Sequence, residues 1–157
     1  MGTEQLNRWI GLALWLALPL MAGLIGSQFE PGAWYAALDK PSWNPPSSVF
    51  GPVWTTLYVV MGVAAWLVWD RRRSAARGAL VLFVVQLIFN AAWSWLFFGL
   101  QSPGLALMGI LVLWVLIAMT TLVFWRVRAL AGALLLPYLA WVTFATALNY
   151  EIWRLNG

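Results

Sequence analysis

The feature that most constrains the fold is a run of 48 residues, 78–125, without a single charged side chain. A membrane-crossing helix needs about 20 apolar residues at a rise of 1.5 Å each, so this run is too long for one crossing. It is interrupted by Gly99-Leu100-Gln101-Ser102-Pro103-Gly104, a cluster of helix breakers. The run therefore reads as two helices joined by a short turn. Residues 9–29, 41–69 and 129–150 are also free of charge. The expected architecture is all-α: five membrane helices, at about 8–27, 50–69, 78–98, 104–124 and 129–152, in a single domain over 1–157. Runs such as Leu80-Val81-Leu82-Phe83-Val84-Val85 lack the strict alternation of a membrane β-barrel strand. The first span is longer than the apolar stretch of a secretion signal, no clean small-x-small site follows it, and Leu6 breaks a myristoylation pattern.

Composition closes other routes. Charged residues make up 9% of the chain, against about 25% in soluble domains, so a water-facing surface of this size is excluded. Disorder has the opposite signature of low hydrophobicity and high charge. The chain has no Cys and no His. Disulfides, thiolate metal sites, cysteine nucleophiles and the commonest general base are thereby excluded, and no metal site is expected. Thirteen Trp residues remain to be explained.

Lys and Arg set the orientation. Arg8, Arg71, Arg72, Arg73, Arg77, Arg126 and Arg128 fall on one side of the five spans, and Lys40 and Arg154 on the other. The positive-inside rule puts the N-terminus in the cytoplasm and the C-terminus outside. The arginine run lies between two spans, so it reads as a topology signal and no nucleic-acid partner is expected. Spanning helices point to an inner membrane, because outer-membrane spanners are normally barrels.

Three helices carry polar–aromatic stripes. Gln86, Asn90 and Ser94 recur every four residues, with Trp93 and Phe97 beside them. An amide in hydrocarbon must find a partner. The stripe therefore serves either as helix–helix glue or as the lining of a ligand cavity. Tyr138, Trp141, Ala145 and Leu148 share one face of the last span, and Trp54, Tyr58 and Met61 one face of the second. Ordinary packing explains any one stripe. Three together, beneath the Trp- and Pro-rich loop 28–49 with Trp34, Tyr35 and Trp43, favour a pocket for a flat ligand under an ordered cap. Asp39 and Lys40 in that loop are expected in solvent. The small pairs Ala13/Ala17, Ala22/Gly26 and Ala129/Ala133 suit close helix approach within the bundle, with dimerisation a second use. Leu148, Tyr150 and Arg154 match a weak sterol-binding pattern, and Tyr150 and Arg154 serve equally as interface anchors.

Three motifs in order carry a family resemblance over essentially the whole chain. They are Trp34-Tyr35-x2-Leu38-x-Lys40-Pro41-x-Trp43-x-Pro45-Pro46 leading to Phe50-Gly51-Pro52-Val53-Trp54, then Gln86-Leu87-x2-Asn90-x2-Trp93, then Pro137-Tyr138-Leu139-Ala140-Trp141-x2-Phe144-Ala145-Thr146-x-Leu148-Asn149-Tyr150. This pattern closely resembles the TspO/MBR family of tryptophan-rich sensory and mitochondrial translocator proteins. The resemblance implies a five-helix bundle, commonly a homodimer, that binds porphyrins and, in animal members, cholesterol and benzodiazepine-type drugs. It places some members in outer membranes. It implies a pocket under the first loop, with Asn90 as a pocket amide and Trp54 and Trp141 linked to ligand binding and porphyrin breakdown. Glu151 departs from the family's sterol motif by placing an acid inside it.

The expected function is binding of a tetrapyrrole such as protoporphyrin IX, with no cofactor, for sensing or trafficking. Trp54, Tyr58, Trp93, Tyr138 and Trp141 would stack on or edge the macrocycle, Trp34, Trp43, Gln86, Asn90, Phe97, Ala145 and Leu148 would complete the pocket, and Lys40 would pair a propionate. A Trp-dependent photo-oxidative enzyme is the first alternative. A passive transporter of porphyrin or sterol is the second. The span interiors offer no acidic or basic residue for coupled transport.

Overall fold

The computed structural model describes residues 2–71 and 74–157. Arg72 and Arg73, used in the orientation count, lie outside the described residues. Six α-helices follow in order: α1 (Thr3–Gly26), α2 (Ala33–Ala37), α3 (Ser47–Trp69), α4 (Ser74–Ser94), α5 (Pro103–Val127) and α6 (Ala129–Asn156). A π-helical turn, Trp95–Gly99, extends α4. All but α2 are long and apolar enough to cross a membrane, which makes the chain an integral multi-pass membrane protein.

The expected breakers act where sequence places them. Leu100 N–H reaches back to Trp95 C=O at 2.8 Å, Gln101 turns the chain with φ 51°, and Pro103 opens α5, where its missing N–H costs nothing. Threonine hydroxyls within the spans bond to their own helices. Thr55, Thr56, Thr120, Thr121, Thr143 and Thr146 each donate to the carbonyl four residues earlier, at 2.7–2.9 Å. These hydroxyl protons are thereby satisfied without a ligand.

The spanning helices close a ring in the order α1–α3–α6–α5–α4 and back to α1, and α3 also meets α4 across it. Close approach is set by Gly62, where an added Cβ would lie 2.7 Å from both Leu16 Cα and the Trp15 carbonyl. Ala22 and Gly26 are buried inside the bundle, whereas Ala13 and Ala17 face outward. The main core fills the ring with Met61, Ala65, Phe83, Ile117, Phe124 and Leu135. A second core of Phe97, Ala106, Leu148 and Ile152 receives Trp34, Tyr35 and Leu38 from the first loop. The loop is thus an ordered cap with its own short helix.

The cap also corrects one expectation. Asp39 is exposed, but Lys40 is half-buried. Its ammonium donates to Leu38 O at 2.7 Å and Ala36 O at 3.3 Å, and lies 4.8 Å from the Tyr35 ring centroid. The carbonyls closing α2 and an aromatic face attract the cation more than free solvent holds it.

Candidate functional site

The polar stripe of α4 finds partners on two neighbouring helices. The Tyr58 hydroxyl of α3 donates to Asn90 Oδ1 at 2.8 Å. Asn90 Nδ2 donates to the Tyr138 hydroxyl of α6 at 2.9 Å, and that hydroxyl donates to Gln86 Oε1 at 2.8 Å. Gln86, Asn90 and Tyr138 are 1%, 5% and 1% exposed. The chain of bonds fixes α3, α4 and α6 around one point in the bundle, with Trp54 stacked on Tyr58 at 5.5 Å and edge-on to Tyr138 at 6.2 Å. Both amides are committed to interhelical bonds, the glue role.

A second amide acts one level nearer the cap. Asn149 accepts from Trp93 Nε1 at 3.1 Å and donates to the Pro103 carbonyl at 2.8 Å, joining α4, α5 and α6. Trp93 stacks on Phe97 at 5.2 Å, and Phe97 is met edge-on by Trp34 and Tyr35 of the cap. The π turn lies here: Trp93 meets Phe98, five residues on, edge-on at 6.0 Å, and Phe97 and Phe98 meet at 4.9 Å and both touch Tyr35 of the cap. Burial raises the Tyr35 phenol above its ordinary pKa, a smaller opposing effect coming from its hydrogen bond to Asn44, so it faces Phe97 and Phe98 as a neutral group.

Trp141 differs from its neighbours. Its ring meets Phe50 of α3 at 5.9 Å and Phe144 at 5.4 Å, and Trp43 of the cap meets Phe144 at 5.7 Å. Its indole N–H is buried and has no hydrogen-bond partner, alone in this among the described residues. Trp93, Trp66 and Trp114 each find an acceptor, in Asn149, the Arg8 carbonyl and Thr143. A buried, unpaired donor costs about 1–3 kcal/mol, so it stands out as a group awaiting an acceptor.

The expected residues fall into two connected groups. Trp54, Tyr58, Gln86, Asn90, Tyr138 and Trp141 gather on the facing sides of α3, α4 and α6, with Ala145 half-buried beside them. Trp34, Trp93, Phe97 and Leu148 gather in the second core under the cap. Trp43 is 45% exposed and bridges to both through Phe144. The sterol-pattern residues do not all share a surface: Leu148 is buried, whereas Tyr150 and Arg154 are exposed, Arg154 pairing with Glu151 at 2.7 Å. Phe50, Phe144 and Asn149 also belong to the site and were not singled out. Phe144 lies three residues after Trp141, a spacing that would have flagged it. Two apolar grooves lie elsewhere, beside Trp15: one of about 290 Å³ between Trp15 and α4, and one of about 400 Å³ along α1 to Trp69.

Comparison with known proteins follows this geometry. The model of the TspO/MBR family matches residues 15–154. The chain is 46% identical to the tryptophan-rich protein TspO of Chlorobaculum tepidum, covering 92% of this chain and 95% of that protein. It is 42% identical to the human translocator protein, covering 94% and 91%. It is also 42% identical to the tryptophan-rich sensory protein of Cereibacter sphaeroides, covering 83% and 82%.

Proposed function

Given that the chain belongs to the TspO/MBR family, we propose that it binds a flat hydrophobic tetrapyrrole, with metal-free protoporphyrin IX as the ligand. The observation that carries this reading is the buried Trp141 N–H without an acceptor, set among Phe50, Phe144 and the Trp54–Tyr58–Tyr138 cluster. Aromatic faces supply stacking area, and the orphan donor selects a ligand that presents an acceptor. The Tyr58–Asn90–Tyr138–Gln86 chain is the rigid floor. The cap is the roof.

The chain offers no His or Cys to ligate iron, which favours the metal-free macrocycle over haem. The N-terminus is proposed to be cytoplasmic, and the assembly a homodimer in an inner membrane. A second reading is light-driven oxidation of the bound porphyrin by dioxygen. It is favoured by the contact of Trp54 with two tyrosines, which offers electron donors next to the ligand.

The test is a tryptophan-fluorescence titration with protoporphyrin IX, then illumination and an absorption scan. Saturable quenching at one site per chain supports binding. Absence of saturable quenching refutes it. Porphyrin loss under light that disappears in Trp54→Phe with binding retained favours the enzyme reading.

A further inference from the structure

Among the described residues, the side-chain hydrogen bonds between residues 34–46 of the cap and the bundle are made by Asn156. Asn156 lies in the exposed last turn of α6, and its carboxamide makes three hydrogen bonds. Oδ1 accepts the Asp39 backbone N–H at 2.9 Å. Nδ2 donates to the Asp39 carbonyl at 2.9 Å and to the Ile152 carbonyl, one turn back in its own helix, at 2.8 Å. The bond to Ile152 holds the amide in the orientation that the other two require. An amide facing a peptide in this two-way manner reproduces the pairing of one residue in a β-ladder. It is indifferent to the Asp39 side chain, which is exposed.

The clasp grips the cap beside its internal ties. Lys40, the next residue, donates its ammonium to the Leu38 and Ala36 carbonyls, and Trp34 and Tyr35 rest on Phe97. The segment from α2 to Lys40 therefore moves as a unit with Asp39. The remainder of the cap reaches the bundle through an edge-on ring contact, Trp43 on Phe144. Rings in such contacts separate without leaving a polar group unpaired, whereas lifting Asp39 breaks two hydrogen bonds at once.

We propose that Asn156 is the latch of the cap. It is a positioning residue, acting through the Asp39 backbone, and it sets how often the roof over Trp141 opens and hence how fast ligand enters and leaves. The ligand part rests on the porphyrin-binding reading, while the opening of the cap does not. The latch holds the closed cap equally in the free and the occupied protein. Its removal therefore accelerates entry and exit together and leaves the equilibrium affinity nearly unchanged.

The test uses the full-length protein in detergent or nanodiscs, with Asn156→Ala, Asn156→Asp and Asp39→Ala. Amide hydrogen exchange over residues 38–49 is measured without ligand, and stopped-flow quenching gives the association and dissociation rates of protoporphyrin IX. Two net hydrogen bonds correspond to about tenfold or more in opening. Asn156→Ala is expected to raise loop exchange and both rates by about tenfold, with Kd within about threefold. Asn156→Asp keeps only the acceptor half and is expected to fall between. Asp39→Ala is expected to match the unaltered protein. Unchanged loop exchange in Asn156→Ala, a rise in dissociation alone, or an Asp39→Ala effect equal to that of Asn156→Ala overturns the latch. If the unaltered protein does not bind protoporphyrin, the functional reading fails and the exchange measurement still decides the latch.

Discussion

Tyr138→Phe removes one oxygen atom at the point where three helices meet. The hydroxyl is buried, accepts from Asn90 Nδ2 at 2.9 Å and donates to Gln86 Oε1 at 2.8 Å. Interhelical hydrogen bonds in membranes average about 0.6 kcal/mol each, which sets a floor of about 1.2 kcal/mol for two. The substitution also strands an amide donor and an amide acceptor, and an unsatisfied buried group costs about 1–3 kcal/mol. We therefore expect a loss of about 2 kcal/mol. Tyr58→Phe removes one bond, at a half-buried position, and is expected to cost about half as much. Adding Gln86→Leu to Tyr138→Phe removes the stranded acceptor, so the pair is expected to cost less than the sum of the single changes. Equilibrium unfolding in mixed detergent, monitored by circular dichroism, reads the original protein, the three single variants and the double variant. A Tyr138→Phe protein within about 0.3 kcal/mol of the original, or strict additivity with Gln86→Leu, would refute the network as the fastening of the bundle.

Three further outcomes follow from particular contacts. Gly62→Ala is expected to cost about 1–3 kcal/mol, because its Cβ would meet Leu16 Cα and the Trp15 carbonyl at 2.7 Å. Gly32→Ala, which meets nothing within 4 Å, is expected to stay within about 0.5 kcal/mol, and thermal unfolding separates the two. A periplasm-active reporter fused after Gly157 is expected to be active and a cytoplasm-active one silent; the reverse pattern sinks the proposed orientation. Haem is expected to bind no more tightly than metal-free protoporphyrin, and a strong six-coordinate low-spin spectrum with much tighter haem binding would contradict a site built on stacking.

The spans were legible because charge is so scarce that each charged cluster or breaker marks a boundary. The cap was legible from the three prolines and three aromatics of residues 34–46, in a loop too long to be a mere connection. The convergence of Gln86, Asn90, Tyr58 and Tyr138 could be read as faces, since helical periodicity is local. Which of glue or lining the amides serve could not be read, because that depends on whether a hydroxyl from another helix arrives opposite them. The π turn at Trp95–Gly99 left no mark, as one extra residue per turn is decided by packing of Phe97 and Phe98 against the cap. The Asp39–Asn156 clasp joins positions 117 apart in sequence through a backbone group, which every residue carries and no pattern reveals. Lys40 was misplaced in solvent for the same reason: its partners are carbonyls of its own loop.

The central claim is that the Trp141 N–H remains unpaired in the free protein because a ligand supplies its acceptor. The most direct measurement replaces only that group, with benzothienylalanine at position 141, where sulfur takes the place of N–H and the ring keeps its shape. Stability of the free protein and affinity for protoporphyrin IX are then measured side by side. The expected result is opposite signs: stability equal or higher, since a stranded donor is gone, and affinity lower by about 1 kcal/mol, or about fivefold. Unchanged affinity together with lower stability would show that the indole N–H serves the scaffold, and would contradict the site.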